Sequence, residues 1–322
     1  MAIKVGIYGA AGYTAGELIR LLVNHPQVEM VSLQSESQAG KKVFEVHKDL
    51  IGDLDLSFSQ TVDLDNIDLL FLCKGHGDSL KFMQDQGQIN CKIIDLSTDF
   101  RPRDNQESFI YGLPELNRDA ISKAKRVANP GCFATCMQLG LLPAVSHQLV
   151  DSEIHISGIT GSTGAGVKLS PTSHYSWRHS NTSVYKPFNH QHLSEIGESF
   201  IQLDERFSEL VRFIPYRGSF TRGIITTSYF SCDASIEIVK EYYKSFYDNH
   251  PFTHVVDTNP DLKQVVNTNK ALIYLEKHED QLMVISIIDN LLKGASGQAV
   301  QNMNIMYGLE ETLGIKLKST SF

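Results

Sequence analysis

Cys132 follows Asn129-Pro130-Gly131 directly and opens FATCMQLGLLPAV, a stretch that reads as a helix. Pro130 and Gly131 make the turn, so the chain begins its helix on a thiol. Such a position lowers a cysteine pKa through backbone N–H groups and the helix dipole, and the thiolate is the reactive form. The same N–H groups would hold the oxyanion formed when that sulfur attacks a carbonyl. The ordinary role of a free cysteine is that of a small buried apolar residue. Cys73 and Cys91, in or beside apolar strands, fit that role, and Cys136 lies further inside the helix, where the dipole has faded.

A thiol nucleophile needs a positioned acid or base. KPFNHQHLSEIGESF carries His190, His192 and Glu195, and HLSEIGESFIQL has helical spacing, with Ser194 or Asn189 as candidate caps. His192 and Glu195 are three apart and share a helix face, so the carboxylate can orient the ring. A metal pair or a surface histidine cluster are the alternatives. No cysteine or acid elsewhere supplies obvious further ligands, so no metal is expected.

Two glycine-rich stretches suit a phosphate-bearing cofactor. Gly9, Ala10, Ala11 and Gly12, followed by Tyr13 and Thr14, lie between the strand-like IKVGIY and the amphipathic AGELIRLLVNH. Glycines there let the backbone approach a pyrophosphate at a helix N-terminus. The second strand runs out through Ser35, with Glu36 next and Lys41 and Lys42 following, which favours the 2′-phosphate of NADP over the free hydroxyl of NAD. The second stretch, Gly161 to Lys168, contains Gly164, Ala165 and Gly166 and follows the strand-like EIHISGIT. It suits either a phosphate or nicotinamide contact or a flexible crossing between domains.

The elements that must position these groups alternate. Apolar runs of strand length (IKVGIY, VEMVSL, IDLLFL, CKIIDL, KRVA) interleave with helix-length segments over the first 130 residues, the pattern of a parallel sheet with crossover helices. From about Glu153 longer runs dominate (EIHISGIT, LVRFIP, GIITTSYFSC, KALIYLEK, LMVISII) and suit a mixed or antiparallel sheet. DNLLKGASGQAVQNMNIMYGLEETL closes the chain as a helix-like segment. The fold class expected is α/β, a Rossmann-type parallel-sheet domain plus a larger α+β mixed-sheet catalytic domain. With 322 residues, 42% of them apolar, the length favours two domains. A net charge of −8 and a pI near 5.8 leave no basic face for nucleic acid or anionic lipid. Neither a signal peptide nor a membrane span is read at the start, and five scattered cysteines fit a reducing compartment, so a cytoplasmic location is expected.

The motifs together resemble the N-acetyl-gamma-glutamyl-phosphate reductases, the arginine-biosynthesis branch of the aspartate-semialdehyde dehydrogenase superfamily. The match runs nearly end to end: GxxGxxGYTAGELIRLL, AGK at 39 to 41, DLSTDFR at 95 to 101, YGLPELNR at 111 to 118, NPGCFAT with a leucine-rich helix ending in Pro143, GSTGAG, HQHLSEI, FTRGI and DNLLKGASGQAVQN. The resemblance implies a dinucleotide domain over 1–131 with 293–322, a catalytic and dimerisation domain over 132–292, NADP(H), and a homodimer or homotetramer. It implies Cys132 as nucleophile and His192 as acid/base with His190 and Glu195 beside it. Gly9 to Thr14, Ser35, Lys41, Gly164 to Gly166 and Asn290 are then the cofactor contacts. Ser97, Arg101, Asn129 and Arg222 become the candidate substrate contacts, the two arginines because their forks match phosphate or carboxylate oxygens. The partners implied are a small acyl phosphate and inorganic phosphate.

Three positions depart from the family pattern. Val167 follows TGAG where an arginine is usual, Pro215-Tyr216-Arg217 replaces a PHL sequence, and Cys136 stands where a glycine or alanine is common. They bear on the acyl group: acetyl is expected, with succinyl or a carrier-bound aminoadipyl substrate as alternatives. An aspartate-semialdehyde dehydrogenase would lack the NPGCFAT and HQHLSEI contexts. A non-enzymatic NADP sensor would need neither Cys132 nor His192.

Overall fold

The computed structural model describes residues 2–102 and 109–320. The chain divides into two compact units, Met1–Pro130 with Ala295–Lys316, and Gly131–Gly294 with Leu317–Phe322. These units differ from the domains expected from sequence at Gly131, at Lys293 and Gly294, and from Leu317 onward, all of which group with the second unit.

In the first unit the expected alternation appears as β1 (Ile3–Tyr8), α1 (Tyr13–Leu22), β2 (Val28–Gln34), α2 (Val43–Val46), β3 (Leu69–Leu72), α3 (Asp78–Gln86), β4 (Lys92–Asp95), β5 (Ile110–Tyr111), α4 (Pro114–Lys123) and β6 (Arg126–Ala128). The sheet order is β2-β1-β3-β4-β6-β5, with every described pairing parallel. Leu69 to Leu72 are all fully buried, as a strand covered on both faces requires. This is a doubly wound sheet, and its first βα turn is the glycine stretch.

The second unit runs α5 (Cys132–Ser146), β7 (Ile154–Thr160), α6 (Tyr175–Arg178), β8 (Ser183–Val184), α7 (His192–Leu203), β9 (Val211–Arg217), β10 (Ile224–Ser231), α8 (Ile236–Tyr247), β11 (Thr253–Val256), β12 (Ala271–His278) and β13 (Gln281–Ile288). Its mixed sheet is ordered β11-β12-β13-β10-β7-β9-β8. Strand alternation sends Thr226 and Ser286 toward α5, where both meet Cys136.

The helix opened by Cys132 does not end at Pro143. It continues to Ser146 with the proline inside. Proline removes the N–H that would bond the Leu139 carbonyl four residues back. The buried Tyr247 hydroxyl of α8 donates to that carbonyl instead, at 2.6 Å, and the Tyr243 hydroxyl donates to the Gly140 carbonyl at 2.8 Å. A Tyr247→Phe protein therefore loses about 1–3 kcal/mol of stability in urea unfolding. Tyr243→Phe loses less, because the helical ladder supplies the Gly140 carbonyl with a donor of its own. Equal losses would show that the proline gap is not what Tyr247 fills.

The closing segment is not one helix. Leu292–Ser296 form a π-helical turn, and α9 (Gly297–Met306) follows and packs on α4 and α1 in the first unit. Among the described residues no helix is long and apolar enough to cross a membrane.

Candidate active site

Gly131 is the N-cap of α5, in extended backbone and without a side-chain cap, and Cys132 is the first helical residue. Two side chains of α7 converge on that glycine. The Gly131 N–H donates to Glu195 Oε2 at 3.0 Å. A Cβ on Gly131 would lie 2.3 Å from His192 Nε2, so the imidazole rests directly on the glycine Cα. His192 and Glu195 share the helix face that their spacing predicted, with Nε2 and Oε1 3.9 Å apart. Orientation of the ring by that carboxylate is thus looser than a hydrogen bond, and the other carboxylate oxygen holds the residue before the thiol.

Neither Ser194 nor Asn189 caps α7. The N-cap is Gln191, Ser194 Oγ donates to the Gln191 carbonyl, and the His192 N–H donates to His190 Nδ1 at 3.3 Å. The His190 ring is thereby an acceptor, set edge-on to Phe133, Phe213, Tyr185 and His192. Burial, with the charge of Lys186 adding to it, lowers its pKa to about 4. His190 is neutral at neutral pH and poorly suited to move a proton there.

The other thiols differ. Burial raises the Cys136 pKa to about 12, and its S–H lies 3.2 Å from the Ser286 carbonyl. Burial likewise raises Cys73, Cys91 and Cys232.

The turn after β13 completes the surroundings of Cys132. Asp289 Oδ1 accepts the N–H groups of Leu291 and Leu292, and Oδ2 accepts that of Asn267. Gly294 packs so closely that a Cβ there would sit 2.9 Å from the Cys132 Cβ. Asp289 also takes the Arg222 guanidinium, at 3.1 Å from Nε and 3.3 Å from Nη2. Asn290 accepts from the Gly223 N–H and donates to Thr163 Oγ1, beside the turn that holds Gly164, Ala165 and Gly166. Asp289 went unread in the sequence; its placement ahead of two backbone N–H groups was the available signal.

The remaining expected substrate residues belong to the first unit, each with internal partners. Arg101 Nε donates to the Asn129 carbonyl and Nη2 to the Leu96 carbonyl. Ser97 Oγ donates to Asp95, and Asn129 bonds Ala295 and Asn302.

The glycine turn of the first unit fits a dinucleotide phosphate. Gly9 has φ +84°, where a side chain would also strike Lys74, and among the described residues, its chain neighbours apart, no atom lies within 4 Å of where a Gly12 Cβ would stand. Gly12 is the N-cap of α1 and no side chain caps it, so the helix end is left to an anion. His47 packs on Gly16 and holds the turn through a 2.8 Å bond to the Ala10 carbonyl. At the end of β2, Ser35 is buried, Lys41 is exposed near Gln38, and Lys74 holds Glu36 at 2.6 Å. That ion pair relieves the conflict an isolated acid would pose to a 2′-phosphate.

By class the chain belongs with the semialdehyde dehydrogenases, its parallel doubly wound unit and its mixed-sheet unit each matching one domain of that family. The family model described as "Semialdehyde dehydrogenase, NAD binding domain" matches residues 4–124, and "Semialdehyde dehydrogenase, dimerisation domain" matches residues 132–290. Aspartate semialdehyde dehydrogenase II of Vibrio cholerae, complexed with ASA, shares the fold with a TM-score of 0.75 at 16% identity, over 96% of this chain and 99% of that one. N-acetyl-gamma-glutamyl-phosphate reductases of Parabacteroides distasonis and Bacteroides fragilis are each 56% identical over 99% of this chain and all of theirs. That of Flavobacterium johnsoniae is 51% identical over the same shares. The chain belongs to the N-acetyl-gamma-glutamyl-phosphate reductase family.

Proposed function

We propose that the protein reduces an N-acyl-gamma-glutamyl phosphate to the corresponding semialdehyde with NADPH, as a step of arginine biosynthesis, and that Cys132 is its nucleophile. The first unit binds the dinucleotide and the second carries the chemistry. The observation that carries this reading is a thiol at the first residue of α5, behind a glycine gripped by Glu195 and overlaid by His192.

The helix end favours negative charge on the sulfur. Cys132 Sγ attacks the acyl carbonyl, a C–S bond forms, and the backbone N–H groups of the first turn stabilise the oxyanion. The C–O bond to phosphate then breaks and inorganic phosphate departs, leaving a thioester on Cys132. The bound cofactor supplies the hydride that brings this thioester to the aldehyde level. His192 manages the proton on the substrate oxygen at Nε2, the ring nitrogen nearest Gly131, as the C–S bond breaks and the thiolate returns. Glu195 keeps Gly131, and so the start of α5, in register with that ring. His190 acts as a neutral prop under the first turn of α7. Ser35 and Lys41 are the contacts assigned to the 2′-phosphate, and Gly9 to Thr14 those for the pyrophosphate.

The test is the reverse reaction with purified wild type, NADP and N-acetylglutamate semialdehyde. NADPH is expected to accumulate only when inorganic phosphate is present, since phosphate must cleave the thioester. Accumulation at an equal rate without phosphate, or none with it, overturns the reading.

A further inference from the structure

Anionic substrates need a cation, and the arginines expected from sequence to supply it are engaged elsewhere. Arg222 is held by Asp289, and Arg101 donates to backbone carbonyls within the first unit. Arg217, at the end of β9, is placed differently. β9 turns Phe213 toward Phe133 of α5, and Arg217 has the same parity, while Tyr216 turns to the opposite face. Its guanidinium lies 4.9 Å over the ring of Tyr185. From there a row of rings leads to the thiol: Tyr185 to His190 at 5.8 Å, His190 to His192 at 4.6 Å, and His192 onto Gly131.

The charge around Arg217 is unbalanced. Among the described residues no carboxylate lies within ion-pair distance of it, and its buried Nε has no hydrogen-bond partner. A charged neighbour that the structure does show is another arginine, Arg178, whose side chain bonds the Arg217 carbonyl at 2.7 Å. Arg178 donates to the carbonyls of Thr172, Asn181 and Arg217 and to Ser183 Oγ, and none of these partners is acidic. Burial and then the Arg217 charge lower the Arg178 pKa. Tyr185 brings no compensating charge, because burial, reinforced by the Cys132 thiol, raises its phenol pKa. Two neighbouring arginines with no carboxylate partner among the described residues, in a chain of net charge −8, suit an anion that arrives from outside.

We propose that Arg217, braced on Tyr185, is the specificity residue that binds a carboxylate of the acyl-amino-acid substrate. This rests on the acyl-phosphate reading above. Two carboxylates present the same chemistry: the α-carboxylate of every N-acylglutamyl substrate, and the terminal carboxylate of a dicarboxylic acyl group such as succinyl.

The experiment compares wild type with Arg217→Met and Arg217→Lys in the phosphate-dependent reverse reaction, using N-acetyl- and N-succinyl-glutamate semialdehyde. In Arg217→Met the KM for the aldehyde rises roughly 10- to 100-fold with kcat changed only a few-fold, and Arg217→Lys recovers part of the loss. A rise for both aldehydes assigns the α-carboxylate, and a rise for the succinyl substrate alone assigns the terminal one. Should Arg217→Met not fold, Arg217→Gln takes its place, with NADPH binding as the check on folding. An unchanged aldehyde KM in an active enzyme, or a rise in the KM for phosphate alone, overturns this proposal and leaves the reductase reading standing. A wild type inactive on both aldehydes overturns the two together.

Discussion

Cys132→Ser lowers phosphate-dependent turnover by about 10⁴-fold or more, leaving NADPH affinity and melting temperature close to wild type. A hydroxyl at a helix end is not ionised at neutral pH, so the substitution removes the proposed nucleophile while keeping the shape of the residue. Gly9 to Gly12, the contacts proposed for the pyrophosphate, lie in the other unit, so NADPH binding is expected to survive. No other cysteine can substitute. Cys136 is four residues along the same helix, fully buried, and its thiol is pushed up to about 12. The expectation extends to labelling: brief treatment with iodoacetamide modifies one cysteine of the folded wild type and none of the Cys132→Ser protein, as read by intact mass. Turnover within ten-fold of wild type, or fast labelling that persists in the variant, would remove Cys132 from the mechanism.

The same thiol shows what a sequence can and cannot disclose. Asn-Pro-Gly punctuation marks the start of α5 because proline and glycine force the turn locally, and the three-residue spacing of His192 and Glu195 fixes a shared helix face. The long apolar runs became β1, β3, β7, β10, β12 and β13 because burial on one or both faces imposes their composition. By contrast β5, β8 and β11 carry no such pattern; β5 and β8 are two-residue edge strands that exist through a neighbour's backbone. The segment from Asp289 reads as a single helix, yet the Asp289 side chain takes the Leu291 and Leu292 N–H groups and Gly294 must clear Cys132, so a π-turn forms before α9. The use of Glu195 on the Gly131 N–H, the hold of Asp289 on Arg222, and the turning of Arg217 toward Tyr185 all depend on register between strands and helices far apart in the chain. Spacing within one segment holds none of that information.

Gly131→Ala is the sharper test of how the site is held together. The glycine has φ −70° and ψ 151°, a conformation alanine adopts freely, so backbone strain plays no part. The added methyl, however, would sit 2.3 Å from Nε2 of His192 and within 2.7 Å of two ring carbons. The ring has little room to retreat, being buried with His190 edge-on at 4.6 Å. The imidazole must tilt, or the first turn of α7 must shift and stretch the Glu195 bond to the Gly131 N–H. Displacement of the proposed proton-handling group by about an ångström is expected to cost roughly 10²-fold in kcat, with the protein remaining folded. A double-mutant cycle separates this cause from a general disturbance of α5. In a His192→Ala background the ring is gone, the methyl has space, and Gly131→Ala should cost only a few-fold more. A penalty as large in that background as in wild type would mean that the glycine serves the helix end and the thiol directly, with His192 a bystander to its identity.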